Sequence, residues 1–258
     1  MRAAARGRAT PLLPAAAAVI FGSGLATLPT AAVVEADLPY QELGWPVSQV
    51  PGHANRLVAC RLGAGGVRVL LLNGRPHAYE GWSDRELRVP MDALAAWGVR
   101  RVLLTNACGA LAADVAPGTA LVVDEVVDLV SAPHDDAPRL AATKGDRAKR
   151  CVAALAPHVT ARVGRYVAVA GPQFETLAEV AWLRRLGDVV GMSTAPEVRA
   201  GLANGQSLCV LALVVNRAGA ALGHEHVLAA AGELNGALAA AFPSVLAAAW
   251  PRAFAAVG

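Results

Sequence analysis

This sequence predicts one α/β domain, in which strands alternate with helices around a mostly parallel central sheet, on three observations. Its 258 residues suffice for one large domain, and nothing in their middle marks a division into two, so the domain spans 1–258. Hydrophobic residues make up 55% of the chain and charged residues 17%, which leaves ample apolar surface for a core. Short apolar runs bounded by Gly, Asn or charged residues recur along it, and helical spacing of apolar residues fills several of the gaps.

Residues 16–21 form the first of these runs. Arg2, Arg6 and Arg8 ahead of the apolar residues 12–21 imitate a secretion signal, but the run reads instead as a buried strand entering the turn Gly22-Ser23-Gly24. Further buried strands are expected at 57–62 and 67–72, followed by a helix whose apolar face carries Leu87, Met91, Leu94 and Ala95. Strands at 102–105 and 120–130 come next, and the polar, Pro-containing stretch 131–146 reads as a flexible loop. The remaining strands are expected at 166–170, 189–192 and 208–215, with Leu177, Val180, Leu183 and Leu186 marking a helix between the first two. From His224 the chain is alanine-rich and helical as far as Phe242-Pro243, and a second short helix ends near Trp250-Pro251.

Charge and cysteine usage exclude several classes of function. The net charge of +3 comes almost wholly from scattered arginines, since only Lys144 and Lys149 are lysines, and no basic stripe offers a nucleic-acid surface. Cys60, Cys108, Cys151 and Cys209 are isolated, without a C-x-x-C pair, which is the pattern of reduced thiols in a cytoplasmic protein. No run approaches the roughly 18 apolar residues that a membrane span requires. His134 beside Asp135 and Asp136, and the trio His224-Glu225-His226, match no metal-ligand spacing such as H-E-x-x-H, so no metal site is expected.

In α/β sheets ligands bind at the carboxyl ends of strands, and polar residues follow the expected strands immediately. Gly22-Ser23-Gly24 is not a dinucleotide fingerprint, because Thr27 stands where the third glycine is needed. Its backbone N–H groups and hydroxyl suit a free phosphate, and a plain tight turn accounts for the motif equally well. Arg75 and His77 are two apart in an extended segment, so both side chains can face one oxyanion; a solvated arginine beside a loop histidine is the competing reading. Glu175 can be a ligand or a helix-terminal acid, whereas Asn216, ending an apolar run, can both donate to and accept from the edge of a heterocycle. Together with Phe174, Met192 and Ser193 these residues suit a flat heterocycle joined to a sugar.

The order of these segments carries a resemblance. G-S-G-L at 22–25, P-G-H-A at 51–54, G-R-x-H-x-Y-E-G at 74–81, T-N-A-x-G at 105–109, A-G-P-x-F-E-T at 170–176, G-M-S-T-x-P-E at 191–197, the strand ending in Asn216 and H-x-x-V-L at 224–228 follow in turn. Over nearly the whole chain they resemble the trimeric class of purine nucleoside phosphorylases. The resemblance implies a mixed central sheet flanked by helices and a homotrimer with sites near its interfaces. It also implies reversible phosphorolysis of 6-oxopurine (deoxy)ribonucleosides such as inosine and guanosine, with inorganic phosphate as co-substrate and no cofactor. Ser23, His53, Arg75, His77, the backbone at Ala107 and Ser193 would then hold phosphate, and Tyr79, Met192 and His224 the ribose. Phe174, Glu175, Gly109, Gly191 and Asn216 would hold the purine, with Asn216, Glu175 and His77 as the catalytic groups. Asn216 matches the 6-oxopurine enzymes, where the related methylthioadenosine phosphorylases carry Asp. The chain departs from the family at Val215, where threonine is usual, and in shorter loops at 131–146 and 218–223. The first of these loops usually brings an aromatic to the neighbouring subunit's ribose. A methylthioadenosine-type enzyme, a nucleosidase using water and a non-catalytic family member are the competing readings.

Overall fold

Every residue of β1 (Ala17–Phe21) is apolar, which leaves the strand no solvent side, and it lies fully buried between two parallel neighbours. These are β4 (Val67–Asn73) and β5 (Arg101–Ala110), with Ala18 opposite Leu70 and Val102. The computed structural model describes residues 14–22, 32–63, 66–132, 136–220 and 224–255, apart from the side chains of 224 and 227. One sheet contains β10 (Ser207–Arg217), β6 (Ala120–Asp128), β8 (Ala161–Ala168), β9 (Val189–Gly191), β5, β1, β4, β3 (Arg56–Leu62) and β2 (Val33–Pro39) in that order. β7 (Arg139–Ala141) adds to β6, and β10 also pairs with β5, so that β5, β10, β6, β8 and β9 close into a ring.

The sheet is mixed, as the family resemblance implies, and the mostly parallel sheet read from strand–helix alternation is corrected. Among the described residues, five strand pairings are parallel and five antiparallel. The alternation breaks at β3 and β4, which are only four residues apart in the chain and pair antiparallel, too close for the crossover that a parallel pair needs.

Side-chain alternation divides the core between the two faces of the sheet. Ala18 and Ile20 face Met91 and Leu94 of α3 (Val89–Ala96) and Val198 of α6 (Ala195–Ala203), beyond the short helices α1 (Tyr40–Leu43) and α2 (Asp84–Leu87). Ala17, Val19 and Phe21 face Cys151 and Leu155 of α4 (Asp146–Leu155) and Phe242 and Leu246 of α7 (His224–Ala249). The remaining helix, α5 (Leu177–Leu183), starts at a capping box. There Thr176 Oγ1 accepts from Glu179 N, and the Glu179 carboxylate accepts from Thr176 N and Oγ1.

Several expected boundaries move. β2 lacks an apolar run because it is an edge strand, and Val33 and Val34 are exposed on it. The stretch 131–146 holds β7 within what reads as loop. β5 runs on to Ala110 and β10 to Arg217, so Asn106, Gly109 and Asn216 belong to strands and do not follow them. α7 continues through Pro243 to Ala249 as one helix: Phe242, Val245 and Leu246 keep its apolar face on the sheet, and this packing outweighs the bond lost at proline. All four cysteines are buried and form no disulfide, and among the described residues no helix is long and apolar enough to cross a membrane.

Leu246 is fully buried on the α7 face that covers β1. Leu246→Ala is expected to lower the unfolding free energy by about 2–5 kcal/mol, read as a lower denaturant midpoint at unchanged slope.

Candidate active site

At one end of the sheet β1, β4, β5, β9 and β10 border a cavity of about 450 Å³, lined at one end by polar donors and at the other by an amide and a carboxylate. Gly74, with φ +122°, turns the chain out of β4; a Cβ there would come within 2.9 Å of His53 Cβ. The turn delivers Arg75 into the protein, where it is 2% exposed. Nη1 donates to Ser193 Oγ and Thr194 Oγ1, both at 3.2 Å, and Nη2 donates to the Ile20 carbonyl at 3.1 Å. Nε faces Glu197 Oε1 at 3.0 Å as an ion pair without the alignment of a hydrogen bond. Of the five guanidinium hydrogens, one on Nη2 is therefore left for a ligand, and Arg75 acts chiefly as the frame of the oxyanion end.

His77 presents its ring to the same cavity, stacked on Tyr79 with centroids 4.9 Å apart. Its Nδ1 lies 3.1 Å from Glu80 Oε1, and Glu80 also accepts from His77 N, Ser48 Oγ and Gln49 N. Burial raises the Glu80 carboxyl, but these bonds outweigh it and hold the group down at about 2. Nδ1 donates to that ionised carboxylate, and Nε2 is the ring nitrogen turned to other partners, a donor to an oxyanion when it too carries a proton. His53 does not form the cavity wall; its ring packs on His77 at 5.2 Å.

Gly171 (φ +71°) packs against Met192 and Tyr79 of the cavity wall, and a Cβ there would come within 2.5 Å of Met192 Sδ and 2.9 Å of Tyr79 Cδ1. The next peptide bond, Gly171–Pro172, is cis. At the far end Phe174, Glu175 and Asn216 converge with Gly109 and Gly191. Phe174 is 40% exposed, and burial raises the pKa of the Glu175 carboxyl. A bulge between Val214 and Asn216 shifts the register of β10 against β5 and aims the Asn216 amide, whose Nδ2 donates to the Arg217 carbonyl at 2.9 Å. Gly191 admits the buried Tyr166, whose Oη would lie 2.3 Å from a Cβ there.

One cavity thus brings together Arg75, His77, Ala107 and Ser193, then Tyr79 and Met192, then Phe174, Glu175, Gly109, Gly191 and Asn216. Ser23 and the side chain of His224 lie outside the described residues. Asn106, on the cavity wall, and Thr194 and Glu197, behind it, brace Arg75 and Ser193; all three sit inside motifs whose other members give the sequence signal. Tyr166 stands in an apolar run and gave no polar signal. Among the described residues no group of three or more His, Cys, Asp or Glu could hold a metal ion.

Residues 16–247 match the Phosphorylase superfamily, and the chain belongs to that family. It is 36% identical over 236 residues to the purine nucleoside phosphorylase of Mycobacterium leprae, covering 87% of this chain and 86% of that one. It is 34% identical over 220 residues to the mouse purine nucleoside phosphorylase, covering 78% and 75%. Among solved structures it is similar to the purine nucleoside phosphorylase of Schistosoma mansoni in complex with inosine, with a TM-score of 0.79 and 25% identity over 95% of this chain and 94% of the other.

The Glu80 bonds have a pH signature. Its carboxyl falls from an ordinary 4.5 to about 2 in the folded chain, so its contribution to stability is complete above 4.5 and is lost as pH falls through 2. Glu80→Gln is expected to flatten the stability profile across that window and to lower stability at neutral pH, measured by denaturant unfolding at stepped pH.

Proposed function

We propose that the chain is a purine nucleoside phosphorylase acting on 6-oxopurine (deoxy)ribonucleosides, inosine and guanosine among them. With phosphate it releases the free base and (deoxy)ribose 1-phosphate. The observation that carries this reading is the polarity of one cavity, whose oxyanion end (Arg75, His77, Ala107, Ser193) and amide–carboxylate end (Asn216, Glu175) are separated by Tyr79 and Met192. Family membership and relatives named for this activity support it.

The chemistry follows from charge. Cleaving the bond between ribose and purine builds positive charge on the sugar and negative charge on the base, and an enzyme gains rate by stabilising both in the transition state. Phosphate held by Ser193, His77 and the Ala107 backbone opposes the sugar cation and then bonds to the anomeric carbon, a phosphate site to which the family resemblance also assigns Ser23 and His53. Asn216 donates to the ring nitrogen gaining electron density and contacts the 6-oxo group, while Glu175 accepts from the N–H groups of the opposite edge. Each contact that strengthens in the transition state contributes about 2–4 kcal/mol. Met192 and Tyr79 pack on the ribose, to whose 5′ hydroxyl the family resemblance assigns His224. No metal or organic cofactor enters this scheme, and the serines bind phosphate without becoming nucleophiles.

Phe174 and Leu177 are exposed, Phe174 on the wall of the cavity and Leu177 close behind it in sequence. This supports a homotrimer in which a neighbour covers that side, and four cysteines without a disulfide suit a protein of the cytoplasm. Asn216 supports the 6-oxopurine preference, because an amide can donate and accept at one ring edge where a carboxylate only accepts.

Base release from inosine, guanosine and adenosine with and without phosphate tests the reading directly. Phosphate-dependent release of hypoxanthine and guanine is the expected result; release without phosphate indicates a nucleosidase, and no release a non-catalytic member. Asn216→Asp is expected to lower the inosine-to-adenosine ratio of kcat/KM by at least about tenfold, the scale of one lost polar contact. An unchanged ratio removes Asn216 as the specificity residue.

A further inference from the structure

Thr194 has a backbone that threonine rarely adopts, with φ +75°, and its side chain is fully buried at the start of α6. A hydroxyl has two acceptor sites and one hydrogen, and here all three are accounted for. Asn106 Nδ2 donates to Thr194 Oγ1 at 2.9 Å and Arg75 Nη1 at 3.2 Å, which occupies both acceptor sites. Ser193 Oγ lies 3.2 Å away and either hydroxyl can donate across that gap; with both acceptor sites of Thr194 taken by Asn106 and Arg75, the arrangement that meets every donor runs the hydrogen from Thr194 to Ser193. Ser193 Oγ also accepts from the second hydrogen of Arg75 Nη1 at 3.2 Å, so its own acceptor sites are filled. The hydrogen of Ser193 is therefore left to point into the cavity that Ser193 lines.

We propose that Thr194 is a positioning residue that locks Ser193 as a one-way donor to an unprotonated phosphate oxygen. The proposal rests on the phosphorylase reading and adds to it a direction for the hydrogen bond. A free serine hydroxyl donates or accepts as its partner requires and must reorient when a ligand arrives. Ser193, its acceptor sites filled by Thr194 and Arg75, is already turned for an oxyanion, and a preorganised donor costs no reorganisation when charge arrives. The strained backbone at Thr194 is what places its Oγ1 within reach of Asn106, Arg75 and Ser193 at once.

The test combines titration of inorganic phosphate by calorimetry with steady-state kinetics in both substrates. Thr194→Val keeps the branched shape and removes the hydroxyl; Thr194→Ser keeps the hydroxyl. The expected result is a phosphate Kd and KM raised at least about tenfold in Thr194→Val, the scale of one charge-assisted bond, with the inosine KM held within about twofold. Thr194→Ser stays within about threefold of the native chain, and in the Ser193→Ala background Thr194→Val weakens phosphate no further. Native-like phosphate binding in Thr194→Val overturns the proposal, as do full additivity with Ser193→Ala or an inosine KM that rises as much as the phosphate KM. If Thr194→Val does not fold, Thr194→Ala, which is free of the branch, carries the same comparison. A native chain that binds phosphate but releases no base sinks the phosphorylase reading and leaves the calorimetric test of Thr194 intact; one that binds no phosphate sinks both.

Discussion

The buried guanidinium of Arg75 is the constraint on which the oxyanion end of the cavity depends. Removing an arginine from water is costly unless its hydrogens are met, and here they are met by β1 through Ile20, by the Ser193-Thr194 turn and by Glu197 on α6. The partners come from two distant parts of the chain, so satisfying one side chain fixes the end of β1, the exit of β4 and the start of α6 against one another. Arginine suits this place better than lysine because its planar fork meets several acceptors at fixed angles. The left-handed Thr194 and the tight Gly74 turn are local costs that this convergence sustains.

The other end of the cavity depends on the sheet. Because β10 pairs with both β5 and β6, five strands close into a ring, and the mouth of that ring holds Asn216, Gly109 and Gly191 on three different strands. Regular strands would send alternate residues to opposite faces; the bulge beside Val215 breaks that alternation at the one place where an amide is needed. Glycine at 191 does the complementary work by leaving room for Tyr166, whose hydroxyl accepts from Ser193 N at 3.4 Å. The two ends of the cavity are thus joined through Tyr166 and the short β9, and not only through the space between them.

Much of this was legible in the sequence, and the limits have physical causes. Strand positions were readable where both faces are buried, as in β1 and β10, and missed in β2, whose edge position allows polar and apolar residues to mix. The cavity wall was readable because glycine and polar residues interrupt apolar strands there. The residues that brace the wall were not: Thr194, Asn106 and Glu197 act through contacts between segments 88 to 122 positions apart, which no local spacing reveals. Arg75 was read as a fork open to a ligand, and its commitment to the protein depends on distances that only the folded chain supplies.

That commitment alters how the site handles charge. With Arg75 neutralised in part by Glu197, and His77 facing an ionised Glu80, the oxyanion end carries two cation-capable groups, each balanced by a carboxylate. A phosphate arriving there meets oriented N–H and O–H dipoles more than bare positive charge. Dipoles hold an oxyanion while letting it keep the electron density that an incipient sugar cation must meet, whereas unbalanced cations would draw that density away. The same carboxylates keep the empty cavity from carrying a large uncompensated charge, so the donors can be buried before any ligand is bound. Balanced ion pairs beneath a surface of oriented donors are the arrangement that lets a largely apolar strand end receive an anion that must still act as a nucleophile.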